Sequence, residues 1–181
     1  MSKSIVIETE RLLLRPFRSS DTDSILAYRG DPEVARFQLW EPFTHNKVKL
    51  FIHKYKSITF GSDGHWSGLV VQDKAKGHVL GDVALNISKD DHPQARIGYN
   101  IAKKWQRRGY GSEAVRAMVD WVFKNTKVHR ITATCDCDNK ASAALLKKLG
   151  FRREAHFIQN TWSKGQWTDE YVFAMLKKDW K

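Results

Sequence analysis

The sequence predicts a three-layer α/β domain built on a mixed, mostly antiparallel sheet of about seven strands. Short β-prone runs alternate with segments whose apolar residues recur at helical spacing, in the order β-α-α-β-β-β-α-β-α-β-β. The chain has 181 residues, of which 41% are hydrophobic, and it has no internal repeat or linker-like segment. We therefore expect one domain over 1–181 with one sizeable core.

The first half of the chain predicts a strand, several short helices and a hairpin. The apolar run over 5–17 predicts the first strand, and Ser19-Ser20-Asp21 offers the N-cap of a short helix. A further helical turn is expected at Asp31-Pro32-Glu33, and Thr44 predicts the N-cap of a longer helix. Strands over 66–71 and 79–87 flank a turn over 73–77, which is the pattern of a hairpin.

The second half predicts a strand–helix–strand–helix unit and a closing hairpin. A strand over 95–101 leads into a helix over about 109–124, and a β-branched run over 129–135 forms the next strand. Asn139 caps the following helix, which Gly150 ends. Strands over 153–162 and 167–176 surround a turn at 163–166.

A basic, glycine-containing turn over 101–114 joins the central strand to its helix. A helix N-terminus is an anion site, because its first N–H groups are unpaired and its dipole is positive there. Gly109 and Gly111 allow close backbone approach, and Gln106, Arg107 and Arg108 add donors and charge. The turn therefore predicts a pyrophosphate cradle.

The net charge of +11 indicates either a nucleic acid or a small polyanion as partner. No helix-turn-helix, zinc-finger or RNA-binding aromatic motif accompanies the charge, so the small polyanion is preferred. No apolar run is long enough to span a membrane, and we expect a cytoplasmic protein whose two cysteines are reduced. The seven histidines lack metal-ligand spacing, so no metal is expected.

The string Gln106-Arg-Arg-Gly109-Tyr-Gly111-Ser-Glu-Ala114 resembles the acyl-CoA-binding signature of the GNAT N-acetyltransferase superfamily. Three further motifs are similar to its RimJ/RimL-type branch, the ribosomal-protein N-acetyltransferase-like enzymes. They are Glu8-Thr-Glu-Arg-Leu-Leu-Leu-Arg-Pro16, Leu149-Gly-Phe151 and Gly165-x-x-x-Asp169, and the terminal Asp179-Trp180 is similar as well. The resemblance covers essentially the whole chain.

The resemblance implies the GNAT fold, in which acetyl-CoA, the co-substrate, lies between two parallel strands that splay apart. It places pantetheine along the backbone of Ile101, Ala102 and Lys103, and pyrophosphate on the N–H groups of Arg108, Gly109, Tyr110, Gly111 and Ser112. Asn139 and Ser142 match the Asn-x-x-Ser that faces pantetheine and thioester.

The implied reaction is direct attack of a neutral amine on the thioester in a ternary complex. A backbone N–H of Ile101 or Ala102 is the expected oxyanion donor, and Ser142 either protonates the departing thiolate or serves only as a capping or cofactor contact. The base is not identified. The family's acid tyrosine and two glutamates are replaced by Leu146, Arg96 and Thr161, which leaves Asp136, Asp169 or a water relay.

The branch and the charge favour a protein N-terminal α-amine as acceptor, as on a ribosomal protein. A small-molecule amine (a polyamine, an aminoglycoside or an amino acid) is the alternative. For that alternative, the early carboxylates Asp21, Asp23, Asp31, Glu33 and Glu41 would form the acceptor patch unless they are solvated surface.

Two hypotheses that assign the chain to another functional class stay open. One is a non-catalytic acyl-CoA sensor, and the other is an NAD-binding βαβ protein, because Gly109-x-Gly111-x-x-Ala114 also fits the dinucleotide fingerprint. Exposed tryptophans and hairpin edges would permit a homodimer.

Overall fold

The computed structural model describes residues 5–181, so the first four residues of the predicted domain 1–181 lie outside it. Its strands form one eight-stranded sheet in the order β1-β2-β3-β4-β5-β6-β8-β7. The strands are β1 Ile7–Glu8, β2 Leu12–Arg15, β3 Trp66–Asp73, β4 Val79–Ile87, β5 Gln94–Ile101, β6 Arg130–Asp136, β7 Arg152–Ser163 and β8 Gln166–Leu176. Within the described chain, β5 and β6 are the only parallel pair of strands, and every other pair is antiparallel.

Between residues 5 and 181, five α-helices cover the two faces of this sheet. They are α1 Thr22–Arg29, α2 Pro32–Ala35, α3 His45–Lys56, α4 Tyr110–Asn125 and α5 Lys140–Lys148. The Thr44 side chain accepts from the Lys47 N–H and the Asn139 side chain from the Ser142 N–H, so both predicted caps are confirmed. Among residues 5–181, no helix is long and apolar enough to cross a membrane.

Two hydrophobic clusters fill the space between the helices and the sheet. The larger one joins α4 and α5 to one face of the sheet through residues such as Val115, Met118 and Leu146. The smaller one joins the early helices to the other face through Ile25, Tyr28, Val48 and Ile52. The sheet is therefore the middle layer of three, and the predicted fold class is confirmed.

The N-terminal strand prediction needs a correction, because 5–17 is not one strand. The chain reverses between Glu8 and Leu12, and β1 pairs antiparallel with β2. The Thr9 N–H bonds the Leu12 carbonyl at 3.0 Å, and the Thr9 hydroxyl accepts from the Leu12 N–H at 2.8 Å. This turn divides the apolar run into two strands. The sheet therefore has eight strands, whereas about seven were predicted.

The remaining boundaries agree with the sequence predictions to within about two residues, which is the usual uncertainty of an element end. One exception is the Ser19-Ser20-Asp21 segment, which forms a 3₁₀ turn of its own before α1 begins at Thr22. Gly150 has φ +85° and follows α5 as expected for a C-terminal glycine.

Candidate acetyl-CoA and acceptor site

The parallel strands β5 and β6 separate along their length. Their last paired residues are Arg96 and Thr132, yet β5 continues to Ile101 and β6 to Asp136. A cleft of about 330 Å³ opens where the pairing stops, lined by both strands and by the beginnings of α4 and α5. The predicted splayed pair is therefore present.

The register of β5 determines which of its peptide groups face the cleft. The Ala102 N–H bonds the Leu80 carbonyl at 2.8 Å, on the β4 side. Because peptide groups alternate sides along a strand, those of Tyr99 and Ile101 point toward β6, beyond the last β5–β6 pair of the described residues. The expected oxyanion donor is thus not Ala102, whose N–H already has a partner, and Ile101 remains.

The glycine turn has the backbone shape of an anion site. Arg107 (φ +59°) and Gly109 (φ +83°) both adopt the left-handed conformation, and α4 begins at Tyr110. Such a turn directs successive N–H groups into one concavity at the positive end of a helix. Gly111 packs closely against its neighbours, since a Cβ there would lie 3.0 Å from Leu145 Cδ1 and 3.5 Å from Ile101 Cγ1.

Glu113 of the same motif fastens the turn to the N-terminal hairpin. Its carboxylate accepts from the Thr9 hydroxyl at 2.6 Å and from the Arg11 N–H at 3.0 Å, and it pairs with the Arg11 guanidinium at 2.6 Å. Arg11 also donates to the Arg108 carbonyl at 3.1 Å. Partial burial would raise the pKa of Glu113, but the Thr9 and Arg11 hydrogen bonds outweigh it and lower that pKa.

Ser142 lies at the cleft beside a tyrosine that the sequence analysis did not single out. Its Oγ is 2.8 Å from the Tyr99 hydroxyl, which is also 3.4 Å from the Ser142 carbonyl oxygen. Desolvation raises the pKa of Tyr99 well above its ordinary value, against a smaller lowering by Ser142, so the phenol stays neutral. Burial likewise raises the pKa of Cys135, another neighbour of Ser142, to about 11.

The twelve expected cofactor residues divide into two groups of six. Six line the cleft: Ile101, Gln106, Arg107, Gly111, Asn139 and Ser142. Gln106 also donates to the Ile101 carbonyl at 2.9 Å and so holds the turn against the end of β5. The other six lie around the turn without lining the cleft: Ala102, Lys103, Arg108, Gly109, Tyr110 and Ser112.

A second cavity of about 700 Å³ continues from the cleft. The two share six lining residues, namely Phe37, Gln38, Ile97, Gly98, Thr134 and Cys135. Asp136 and Glu170 stand directly opposite each other on β6 and β8, and both line this cavity. Basic side chains line it as well, namely Arg36, Arg96 and Lys164. The cavity therefore carries both signs of charge and opens beside the predicted thioester position.

The positions that depart from the family pattern can now be located. Arg96 and Thr161 line the larger cavity, whereas Leu146 is fully buried in the core. Asp169 is engaged by the Gln159 N–H at 2.9 Å and by His156 Nε2 at 3.1 Å, and these two contacts lower its pKa. Asp136, the other carboxylate considered as a base, accepts from the Asp138 N–H at 2.7 Å.

The early carboxylates do not form a common patch. Asp21 is buried and paired with Arg15 at 2.7 Å, and Asp31 caps α2. Glu33 lines the cleft and lies 3.4 Å from Lys103. Asp23 and Glu41 are exposed and lie outside both cavities.

Two residues of the site, Tyr99 and Glu170, were not predicted from the sequence. Tyr99 follows Gly98 in the central strand, and Glu170 follows Asp169 in the last strand. Their alternation along β5 and β8 would have indicated their faces, but contact with Ser142 or Asp136 depends on the sheet order.

The comparisons with known proteins agree with this geometry. The family Acetyltransferase (GNAT) domain matches residues 11–152. A Bacillus subtilis (strain 168) protein named Uncharacterized N-acetyltransferase YnaD is 31% identical over 96% of this chain and 98% of its own length. The [Ribosomal protein uS5]-alanine N-acetyltransferase of Escherichia coli (strain K12) is 33% identical over 52% of this chain and 49% of its own.

Solved structures have the same fold. The acetyltransferase (GNAT family) from Bacillus anthracis superposes with a TM-score of 0.87 at 29% identity, over 96% of this chain and 99% of that one. Spermidine N-acetyltransferase from Vibrio cholerae, solved in complex with CoA and spermine, superposes with a TM-score of 0.80 at 20% identity, over 94% and 98%. At 20% identity, the similarity to the Vibrio cholerae enzyme shows a shared fold and no more.

Proposed function

This chain belongs to the GNAT acetyltransferase family and is an N-acetyltransferase, and we propose that its acceptor is the α-amino group of a protein N-terminus. Its place of action would be the cytoplasm, where acetyl-CoA and newly made protein N-termini occur together. The proposal rests on the two cavities and on the charges that line the larger one.

The cleft suits acetyl-CoA in three respects. The Tyr99 N–H and C=O face the gap between the strands and would hydrogen-bond pantetheine as a further strand would, whereas the Ile101 carbonyl already accepts from Gln106. The left-handed turn at Arg107 and Gly109 would receive the pyrophosphate on N–H groups of the α4 start. Ser142 would lie beside the thioester.

The chemistry would be a direct transfer. The neutral amine attacks the thioester carbonyl, a C–N bond forms, the C–S bond breaks, and the Ile101 N–H stabilises the oxyanion. The amine loses one proton toward Asp136 or Glu170, directly or through water, and the departing thiolate takes one from Ser142 or water. Both carboxylates line the cavity on the acceptor side of the cleft.

The mixed charge of the larger cavity is the observation that carries the acceptor proposal. A peptide N-terminus presents one ammonium, for which Asp136 and Glu170 are suited, followed by neutral peptide groups. A polyamine or aminoglycoside would bring several positive charges into a cavity where three basic side chains offset most of the charge of the four carboxylates that line it, Asp136, Asp138, Asp169 and Glu170. The same acceptor is supported by the similarity of about half of this chain to the [Ribosomal protein uS5]-alanine N-acetyltransferase of Escherichia coli.

Release of free CoA thiol from acetyl-CoA against a panel of amines would test this proposal. The panel holds peptides that begin with Ala, Ser or Met, then spermidine, an aminoglycoside and free amino acids. We expect turnover on peptides. Turnover on a small amine alone would overturn the acceptor proposal, and acetyl-CoA binding without transfer to any amine would favour a sensor.

A carboxylate variant tests the acceptor side of the site. In Glu170→Gln the negative charge that stands opposite Asp136 is lost, so kcat/KM for the peptide should fall by about 10- to 100-fold. The KM for acetyl-CoA should stay unchanged. Glu10→Gln, which removes an exposed carboxylate outside both cavities, is the matched control and should keep wild-type kinetics.

A further inference from the structure

Three side chains with metal-ligating atoms converge at the edge of the sheet where α5 begins. Cys137 follows β6, His156 lies on β7 and Asp169 lies on β8, and one ligand atom of each lies within 4.8 Å of the others. We propose that this cluster is a binding site for a divalent transition metal ion of the Zn²⁺ type. Cys137 and Asp169 also line the larger cavity, so the metal site would adjoin the proposed acceptor side.

The backbone holds the three residues in place. The Cys137 N–H bonds the Asp169 carbonyl at 3.0 Å, which fixes the end of β6 against β8. His156 stands opposite Tyr171 in the β7–β8 ladder, two residues from Asp169. The cluster thus joins three strand segments that are distant in the sequence, which is why the spacing of histidines along the chain did not indicate it.

The carboxylate is oriented by a β-bulge. The Gln159 N–H donates to Asp169 Oδ1 at 2.9 Å, and Gln159 itself has φ +47° within the irregular register between Phe157 and Thr161. A non-glycine residue in that conformation costs free energy that the surrounding structure must offset. The bulge leaves Asp169 Oδ2 facing His156 Nε2 at 3.1 Å. This is the arrangement expected when an outer hydrogen bond orients a ligating carboxylate.

The donor atoms select the class of ion. A thiolate, an imidazole nitrogen and a carboxylate oxygen suit Zn²⁺ and its neighbours, whereas Mg²⁺ and Ca²⁺ require sets of oxygen ligands. Three protein ligands leave a fourth tetrahedral position for water. Bond lengths of about 2.0–2.3 Å put the ligand atoms of such a site roughly 3–4 Å apart. The cluster must therefore contract by about an ångström.

The contraction is a local side-chain adjustment. The side chains of His156 and Asp169 are 43% and 37% exposed, so small rotations bring them toward Cys137. An exposed His–Asp pair contributes little to stability, so it is readily exchanged for metal bonds. Asp136 and Asp138 flank Cys137 in the sequence and add negative charge within a chain of net charge +11. Lys140 lies at the same corner, 3.9 Å from Asp138, and offsets part of this negative charge.

Cobalt titration of the untagged, chelator-treated full-length protein tests the site. We expect one Co²⁺ per chain, with an intense sulfur-to-cobalt charge-transfer band and the visible bands of tetrahedral cobalt, both abolished by one equivalent of Zn²⁺. Cys137→Ser should abolish the charge-transfer band, and His156→Ala and Asp169→Asn should each weaken binding more than about tenfold. Far-ultraviolet circular dichroism would confirm that each variant is folded.

Two variants serve as matched controls. Cys135→Ser removes the neighbouring thiol and His53→Ala removes an exposed histidine of α3, and both should keep the full cobalt spectrum. The proposal is overturned if the wild-type protein shows no charge-transfer band, or if the band survives in Cys137→Ser.

Discussion

At the scale of single residues, the contact between Tyr99 and Ser142 brings a β5 side chain to the start of α5. Their hydroxyl oxygens are 2.8 Å apart, and the raised pKa of Tyr99 keeps its proton in place. Tyr99 is therefore suited to fix the Ser142 Oγ rather than to supply a proton itself. The contact also ties the floor of the cleft to the helix above it.

Substitution of Tyr99 by Phe should lower kcat and leave the KM for acetyl-CoA nearly unchanged. Loss of one hydrogen bond of about 0.5–1.5 kcal/mol corresponds to a fall of roughly 2- to 12-fold. If Tyr99 acts through Ser142, the double variant Tyr99→Phe/Ser142→Ala should be no slower than Ser142→Ala alone. Tyr55→Phe, in the opposite hydrophobic cluster, is the control. Additive losses would contradict a role for Tyr99 through Ser142.

Glu113 also acts as a single residue, on stability. Its lowered pKa means that the carboxylate stabilises the fold above the pKa of an unfolded glutamate, about 4.3. This contribution is lost as the pH falls through the lower folded-state pKa. Glu113→Gln should therefore reduce the free energy of unfolding by about 1–2 kcal/mol near neutral pH, with a smaller difference near pH 3.

Thermal unfolding of both proteins across that pH range measures the effect. Glu8→Gln is the control, because its ion pair with Lys74 at 3.3 Å is well exposed and contributes little. A difference between wild type and Glu113→Gln that persists undiminished at low pH would show that the charge of Glu113 is not the cause.

At the scale of elements, the glycine turn is where sequence reasoning was most successful. Gly109, Gly111 and the α4 start are local features, and a short window of sequence is enough to predict them. The break between β1 and β2 was missed, since the Thr9–Arg11 turn is held by Glu113 from about a hundred positions away. An apolar run alone does not indicate such a long-range partner.

The same limit applies to the cavities. The caps at Thr44 and Asn139 are read from nearby residues, whereas the Asp136–Glu170 pair depends on β8 lying beside β6. That sheet order places the last strand of the hairpin inside and β7 at the edge. The family resemblance implied the fold, but the register decides which side chains meet.

Gly109→Ala should distort the glycine turn and thereby weaken the binding of acetyl-CoA. Gly109 has φ +83°, and an added Cβ would lie 3.2 Å from the Arg11 guanidinium. We expect the free energy of unfolding to fall by roughly 1 kcal/mol and the dissociation constant for acetyl-CoA to rise about tenfold. Isothermal titration calorimetry and thermal unfolding measure the two effects.

Gly165→Ala separates backbone strain from cofactor binding. Gly165 has nearly the same φ, +80°, and a Cβ there would meet nothing within 4 Å, at the far end of the β7–β8 hairpin. It should lose similar stability but bind acetyl-CoA normally. Equal weakening of acetyl-CoA binding in both variants would remove the turn from the cofactor site.

At the scale of the whole molecule, the sheet order decides whether the glycine turn belongs to an acyl-CoA site or to an NAD-binding βαβ unit. A dinucleotide-binding protein needs a succession of parallel βαβ units, and within the described chain only β5 and β6 form a parallel pair of strands. The strands around that pair are antiparallel, which leaves the Gly109-x-Gly111 turn beside a splayed cleft rather than at a doubly wound switch point. We propose that the turn serves a polyanion that enters between two strands.

Ligand-dependent stability therefore provides a test on the intact protein. A ligand that binds only the folded state at a hundred times its dissociation constant adds about 2.7 kcal/mol, or roughly 5–10 °C in Tm for a chain of this size. Acetyl-CoA and CoA should produce this shift, whereas NAD at the same concentration should not. Because the net charge is +11 and the turn presents N–H groups and arginines, the shift should also shrink as salt is added. A shift with NAD and none with acetyl-CoA would reverse the assignment of the cleft.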